Sequence, residues 1–343
     1  MIVLTTRSSF FLKDRLPKGC THRPPLIRII SRLNYKPEGL KFDLASEKIS
    51  DLLLTPSRKN FEECCYDRAI EIERLPYDKI FLSYSGGIDS TLSLISFFKY
   101  WKPESLDRLT VLMNLSSIEE NPFFFKHIIE RVKVESIFQN YSQRLSTENA
   151  GLVTGEHGDQ LFGSDIIGAA VAMYGDSAIH ESYEKIVPSV LNKFTENPDV
   201  TSAFFARLHP MVEESPFPVK SVHDFLWWYN LTMKWQYVKY RFLANKAWYK
   251  PAETAPRVHH FFDTVDFQKW SLYNHDKKIK DTWESYKFPM KELIFEYNKD
   301  ADYLRKKKVP SLPLTQMFME YNDAFDRDFV SLTKEQVLSH VLE

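Results

Sequence analysis

Glycine is scarce in this chain: ten among 343 residues, none after Gly175. That rules out a collagenous or low-complexity polymer. The three cysteines, Cys20 and the adjacent Cys64 and Cys65, are odd in number and lack CxxC spacing, so a disulfide framework is not expected and reduced thiols are. No run approaches the roughly 18 apolar residues of a membrane span. The N-terminal apolar stretches are broken by Thr5, Thr6 and Arg7 before a signal-peptide core forms, which predicts a cytoplasmic protein with no membrane partner. Charge of one sign is also missing. With 45 basic and 46 acidic residues the formal charge is −1, so no global basic field exists to hold nucleic acid, and such a partner is not favoured. The Walker loop, the G-x-G-x-x-G fingerprint, the G-x-S-x-G elbow and H-E-x-x-H are all absent.

What is present is a folding composition, 43% hydrophobic and 15% aromatic, on a length that suits two domains or one large domain with an extension. The glycines are placed rather than scattered. Gly86 and Gly87 form one group, and Gly151, Gly155, Gly158, Gly163 and Gly168 a second. Because glycine serves where φ is positive or backbone approaches a ligand closely, two groups predict two loops meeting at one site.

Helical spacing from Arg58 to Arg74 leads to the turn signal Leu75-Pro76, then to an apolar strand, Lys79 to Tyr84. The loop Ser85-Gly86-Gly87-Ile88-Asp89-Ser90 follows, and Ile88, Leu92 and Ile95 then mark one face of a helix. Arg108 to Asn114 reads as a buried strand, Pro122 to Val132 as a helix, and the stretch near Val134 to Phe138 as a further strand. Gly151 to Thr154 enters the second glycine loop, Gly155-Glu156-His157-Gly158-Asp159, and a helix from about Asp165 to Tyr174 follows. This alternation predicts an α/β fold with a doubly wound parallel sheet, in which both loops leave the carboxyl ends of strands and face one pocket. Beyond Asp176 no strand pattern is visible. Prolines at 188, 198, 210, 216, 218, 251 and 256 divide that part into several expected helices. The expected organisation is an N-terminal extension over 1–58, an α/β domain over 59–175 and a helical C-terminal domain over 176–343. The aromatics between Phe225 and Tyr249 read as core, and His259 and His260 as structural.

A glycine loop between strand and helix offers unpaired N–H groups and the positive end of a helix dipole, which suit phosphate; Ser85 and Ser90 add hydroxyls. Asp89 repels phosphate unless a divalent cation bridges the two, and Asp159 in the second loop would complete its oxygen shell.

Ser85 to Ser90 resembles the SGGxDS signature of the ATP pyrophosphatases, whose fold is adenine nucleotide α-hydrolase-like. TGEHGDQLFGSD resembles the SGEGxDExFGGY motif of the asparagine synthetases among them. YKFPMKELIFEYNKDADYLRKKKVP resembles the family's KxxLREAF and RxKxxF segment, and RVHHFFD a drifted RVPFLD. The resemblance covers roughly residues 59 to 310 and implies ATP-dependent amide formation with ATP and Mg²⁺. A small-molecule carboxylate would be activated as an acyl-adenylate with release of pyrophosphate, then attacked by ammonia or an amine. It implies that Asp89 and Asp159 hold Mg²⁺, that Ser85, Gly86, Gly87 and Ser90 grip phosphates, and that Gly155 offers backbone to the nucleotide. Leu82 and Met113 would frame adenine, Glu156 would bind or deprotonate the amine, Lys287 would fall on the catalytic lysine, and Arg305 with Lys307 on the final basic pair. Lys291 takes the place of the family arginine. His157 stands where the family has glycine, either touching substrate or facing solvent, and Lys306 to Lys308 read as a solvated basic rim. The family's glutaminase domain does not fit into 58 residues, so ammonia would come free, from an amine substrate or from a separate glutaminase. A tRNA or other nucleic-acid base modifier, and a noncatalytic nucleotide-binding descendant, remain the alternatives.

Overall fold

The computed structural model describes residues 32, 47–56, 58–137, 141–164, 166–195, 198–235, 238 and 254–306. Most of the expected N-terminal extension lies outside them. A five-stranded, all-parallel sheet organises the chain in the order β3-β2-β1-β4-β5, with β1 Lys79–Ser83, β2 Leu109–Met113, β3 Lys133–Ser136, β4 Ala150–Thr154 and β5 Val258–His260. The central strands KIFLS, LTVLM and AGLVT are continuous apolar runs because both of their faces are covered, as parallel sheets require. Ile80, Leu82, Val111 and Val153 join the large core on one face, whereas Phe81, Leu112 and Leu152 pack with Leu145 on the other. Helices therefore lie on both faces of an α/β sandwich.

The helix Phe61–Glu73 starts three residues after the expected Arg58 because Asn60 caps it: its side chain accepts from the Glu63 N–H at 2.9 Å, and Glu63 reaches back to the Asn60 N–H at 2.7 Å. Cys64 and Cys65 lie on it, buried and free, and burial pushes the Cys64 thiol up to about 12. The stretch after β2 holds two short helices, Leu115–Glu120 and Pro122–Ile129, where the sequence showed one. Asn114 and Asn121 cap them in turn.

Beyond Asp176 the described residues are mainly helical, but two expectations change there. Pro188 and Pro210 lie inside the helices Tyr183–Thr195 and Pro198–Glu213 rather than at their ends. The segment Val258–His260 is a strand, pairing Leu152 with Val258 and Thr154 with His260, so the sheet draws its last member from the helical region. Trp227, Trp228 and Trp235 are fully buried in the core cluster that also contains Leu82 and Val153. Arg32 joins this packing, donating to the carbonyls of Leu231 and Glu47. Among the described residues no helix is long and apolar enough to cross a membrane.

Candidate active site at the ends of β1 and β4

In this strand order the chain moves outward from β1 through β2 to β3, then returns to place β4 on the other side of β1. The β1/β4 boundary is the switch point at which ligands of open α/β sheets bind. Both glycine loops leave the sheet there. A Cβ on Gly155 would lie 2.8 Å from the Ser90 nitrogen, and one on Gly158 would lie 2.4 Å from the Asp89 carboxylate, so the second loop touches the first through bare glycine.

The first loop is wound around its serines. Ser90 Oγ accepts from the Ser85 N–H at 3.1 Å and donates to the Gly87 carbonyl at 3.1 Å; Ser85 Oγ lies 3.1 Å from Ser90 Oγ and accepts from the Gly87 N–H at 3.3 Å. Gly86 has φ +78°, and its Cα meets the Ser117 carbonyl so closely that a Cβ would sit 2.3 Å from that oxygen. The helix Ile88–Tyr100 then begins with Gly87 as its cap, a residue with no side chain to bond the N–H groups of the first turn. Those groups and the helix dipole are a phosphate-grade donor set.

In the second loop Asp159 lies in the first turn of the short helix Gly158–Phe162. Glu156, partly exposed, donates its N–H to Thr154 Oγ1 at 3.3 Å. His157 is not solvent-facing. Its φ is +73°, the left-handed region that favours glycine, and its ring is 1% exposed, packed 4.3 Å from the Trp235 ring with Nε2 3.2 Å from the Trp235 carbonyl. The buried ring is thus carried by a backbone conformation that glycine adopts more readily.

Lys287 completes the site. It is fully buried, with φ +60°, and its backbone N–H donates to the Lys278 carbonyl at 3.0 Å. Its Nζ donates to both Asp89 oxygens, at 2.5 and 2.6 Å, and lies 2.8 Å from Asp159 Oδ1. Pro289 is accommodated because the helix Phe288–Asn298 starts after Lys287, placing the proline in the first turn, where its missing N–H costs no helical bond. Lys291 is buried too, but its Nζ donates to the carbonyls of Glu284 and Lys306 rather than to the loops. Burial lowers Lys291 to about 8.

Other expected residues fall less centrally. Leu82 is fully buried in the core and Met113 ends β2 at 4% exposure. Arg305 is exposed at the end of the helix Ala301–Arg305, and Lys307 lies outside the described residues. Lys306 is not simply solvated: its Nζ donates to the Glu120 carbonyl at 2.7 Å and pairs with the Glu120 carboxylate at 3.0 Å. Sequence reasoning missed Tyr303, whose buried hydroxyl donates to the Gly86 carbonyl at 3.0 Å, and Tyr286, whose hydroxyl lies 3.4 Å from Asp159 Oδ1.

Three carboxylate oxygens from two loops thus converge on one ammonium. That donor set is all oxygen and fits Mg²⁺. The arrangement can neutralise a polyphosphate from several sides, through the helix N-terminus, the serine hydroxyls, a lysine and carboxylates able to carry a divalent ion. No protein-family model matches the chain, and no curated protein matches it.

Proposed function

We propose that this chain is an ATP-dependent carbon–nitrogen ligase resembling the asparagine synthetases, a cytoplasmic enzyme that forms AMP and pyrophosphate. The observation that supports it most is the meeting of Asp89, Asp159 and Lys287 where the two glycine loops touch. In this reading the N–H groups at the start of helix Ile88–Tyr100, with Ser85 and Ser90, bind the ATP phosphates. Asp89 and Asp159 hold Mg²⁺, which supplies charge neutralisation on the pyrophosphate.

A carboxylate oxygen of the substrate attacks the α-phosphorus, and the bond from that phosphorus to the bridging oxygen breaks, releasing pyrophosphate. Lys287 shifts its charge from the two carboxylates to the leaving phosphates. Ammonia or an amine then attacks the acyl carbon, AMP departs, and Glu156 takes the proton from nitrogen. The fixed backbone of Lys287 and the buried Tyr303, bonded to the Gly86 carbonyl, position the lysine and the first loop before substrate arrives, so the reorganisation is confined to the Lys287 side chain.

The test is isotope exchange between pyrophosphate and ATP, screened over amino acids and small carboxylates, with the product then resolved after adding ammonium, glutamine or amines. Exchange that depends on one carboxylate and disappears in Asp89→Asn is expected. Exchange requiring RNA or DNA moves the chain to base modification, and ATP binding without exchange moves it to a noncatalytic role.

A further inference from the structure

We propose that His223, Asp224 and His275 form a binding site for one transition-metal ion of the Zn²⁺ class, separate from the two glycine loops. The inference does not depend on the ligase reading. His223 and Asp224 occupy the first turn of the helix Val222–Tyr229, and His275 opens the short turn His275–Lys277. One ligand atom from each lies within 4.8 Å of the others. Ligands around one Zn²⁺ stand roughly 3–3.5 Å apart, given metal–ligand distances of about 2.0–2.2 Å, so small side-chain rotations close the set. The two rings stack at 4.5 Å with a 15° tilt, so one imidazole must turn for both ring nitrogens to face one ion, and His275 Nε2 lies 2.9 Å from Asp224 Oδ1.

The surrounding groups leave the right atoms available. His223 Nε2 is 2.9 Å from the Phe162 carbonyl and donates to it, so Nδ1 is the ligating nitrogen. Asp224 Oδ2 accepts the N–H groups of Lys220 at 3.0 Å and Ser221 at 2.8 Å, which leaves Oδ1 for the ion. His275 Nδ1 lies 3.1 Å from Lys278 Nζ, which leaves Nε2. Two imidazoles and one carboxylate are the donor set of zinc sites, whereas Ca²⁺ and Mg²⁺ prefer oxygen alone. The three residues line a cleft of about 460 Å³ that also exposes Asp276, Asp281 and His180, leaving room for a water or a further ligand at a fourth position.

Helix capping explains Asp224 and an ion pair explains its contact with His275; the buried His223 imidazole, with a ring nitrogen within 4.8 Å of both, is the further observation that points to an ion. The position also has a consequence. His223 grips the end of the helix that carries Asp159, and the Lys278 carbonyl, three residues after His275, receives the Lys287 N–H at 3.0 Å. An ion bound here would clamp the two segments that deliver Asp159 and Lys287.

The test uses the full chain, stripped by chelator and dialysed, titrated with Zn²⁺ by calorimetry and analysed for bound metal by mass spectrometry, with Co²⁺ absorption as a second readout. One ion per chain with tetrahedral Co²⁺ bands is expected. His275→Gln and Asp224→Asn should each weaken Zn²⁺ binding by about 100-fold or more, above the usual effect of losing an outer partner. Asparagine retains the cap, so Asp224→Asn should keep the circular dichroism and Tm of the stripped wild type and decides the question if His275→Gln does not fold. Absence of stoichiometric Zn²⁺ in the wild type, or unchanged affinity in Asp224→Asn, overturns the proposal.

Discussion

Gly158 presses its bare Cα against the carboxylate of Asp89: a side-chain carbon there would fall 2.4 Å from the Asp89 Cγ and Oδ1. Asp89 has no room to retreat, because Lys287 holds both of its oxygens. Gly158→Ala should therefore destabilise the fold by about 1–3 kcal/mol, the usual cost of overpacking, and separate the two loops. Urea unfolding and pyrophosphate exchange measure the two effects. A variant as stable and active as wild type would show that the loops do not meet in this way.

Lys287→Met removes a buried cation from between two carboxylates. Breaking a buried pair typically costs about 3–5 kcal/mol, and the partial exposure of Asp89 and Asp159 places this case at the lower end. Turnover should fall by roughly 10²–10³, the range for losing one preorganised charge-stabilising donor. Mg²⁺ should raise the Tm of this variant more than that of the wild type, since the freed carboxylates then share a cation. Equal Tm shifts with Mg²⁺ would argue against those carboxylates as its ligands.

His157 separates backbone strain from side-chain packing. His157→Ala keeps the left-handed strain and loses the ring; His157→Gly loses the ring but relieves the strain. The glycine variant should be the more stable of the two by about 1 kcal/mol, compared by chemical denaturation. The opposite order would mean that the left-handed backbone is not what governs this position.

His259 carries a pH signature. Burial, then the nearby Arg68 guanidinium, brings it from 6.5 down to about 4. Between those values the unfolded chain binds the proton and the folded chain does not, so its contribution is fully present above about pH 6.5 and is lost as pH falls toward 4. The size is at most roughly 3 kcal/mol. Unfolding free energies at pH 7.5 and 4.5 should differ less in His259→Gln than in the wild type; an unchanged difference would exclude this source.

The parts of the fold that show in the sequence are those where burial on both faces enforces an apolar run. KIFLS, LTVLM and AGLVT announce themselves, and the glycines mark the loops between them. β5 does not: Val258, His259 and His260 form three edge residues with no apolar run, and His260 is paid for only in the folded state, by Thr154 Oγ1 2.7 Å from its Nδ1. Asp89, Asp159 and Lys287 were legible by resemblance, and the structure brings them within hydrogen-bonding distance. Tyr303 and the set His223, Asp224 and His275 were not legible, because their partners are distant in sequence: 217 residues separate Tyr303 from Gly86, and 51 separate His275 from Asp224. Spacing rules read one element at a time and cannot see such meetings.

The topology also sets an order of events during synthesis. β5 must find β4 across 106 residues, Lys287 must find Asp89 across 198, and Tyr303 must find Gly86 across 217. A ribosome that has already made both glycine loops still holds a chain with an open β4 edge and two carboxylates lacking their lysine. Such long-range parallel pairing is slow to close, and an uncovered strand edge is a template for association with other chains. The growing polypeptide should therefore lean on chaperones until residues 254–306 emerge, and the site should come into being as one of the last acts of folding.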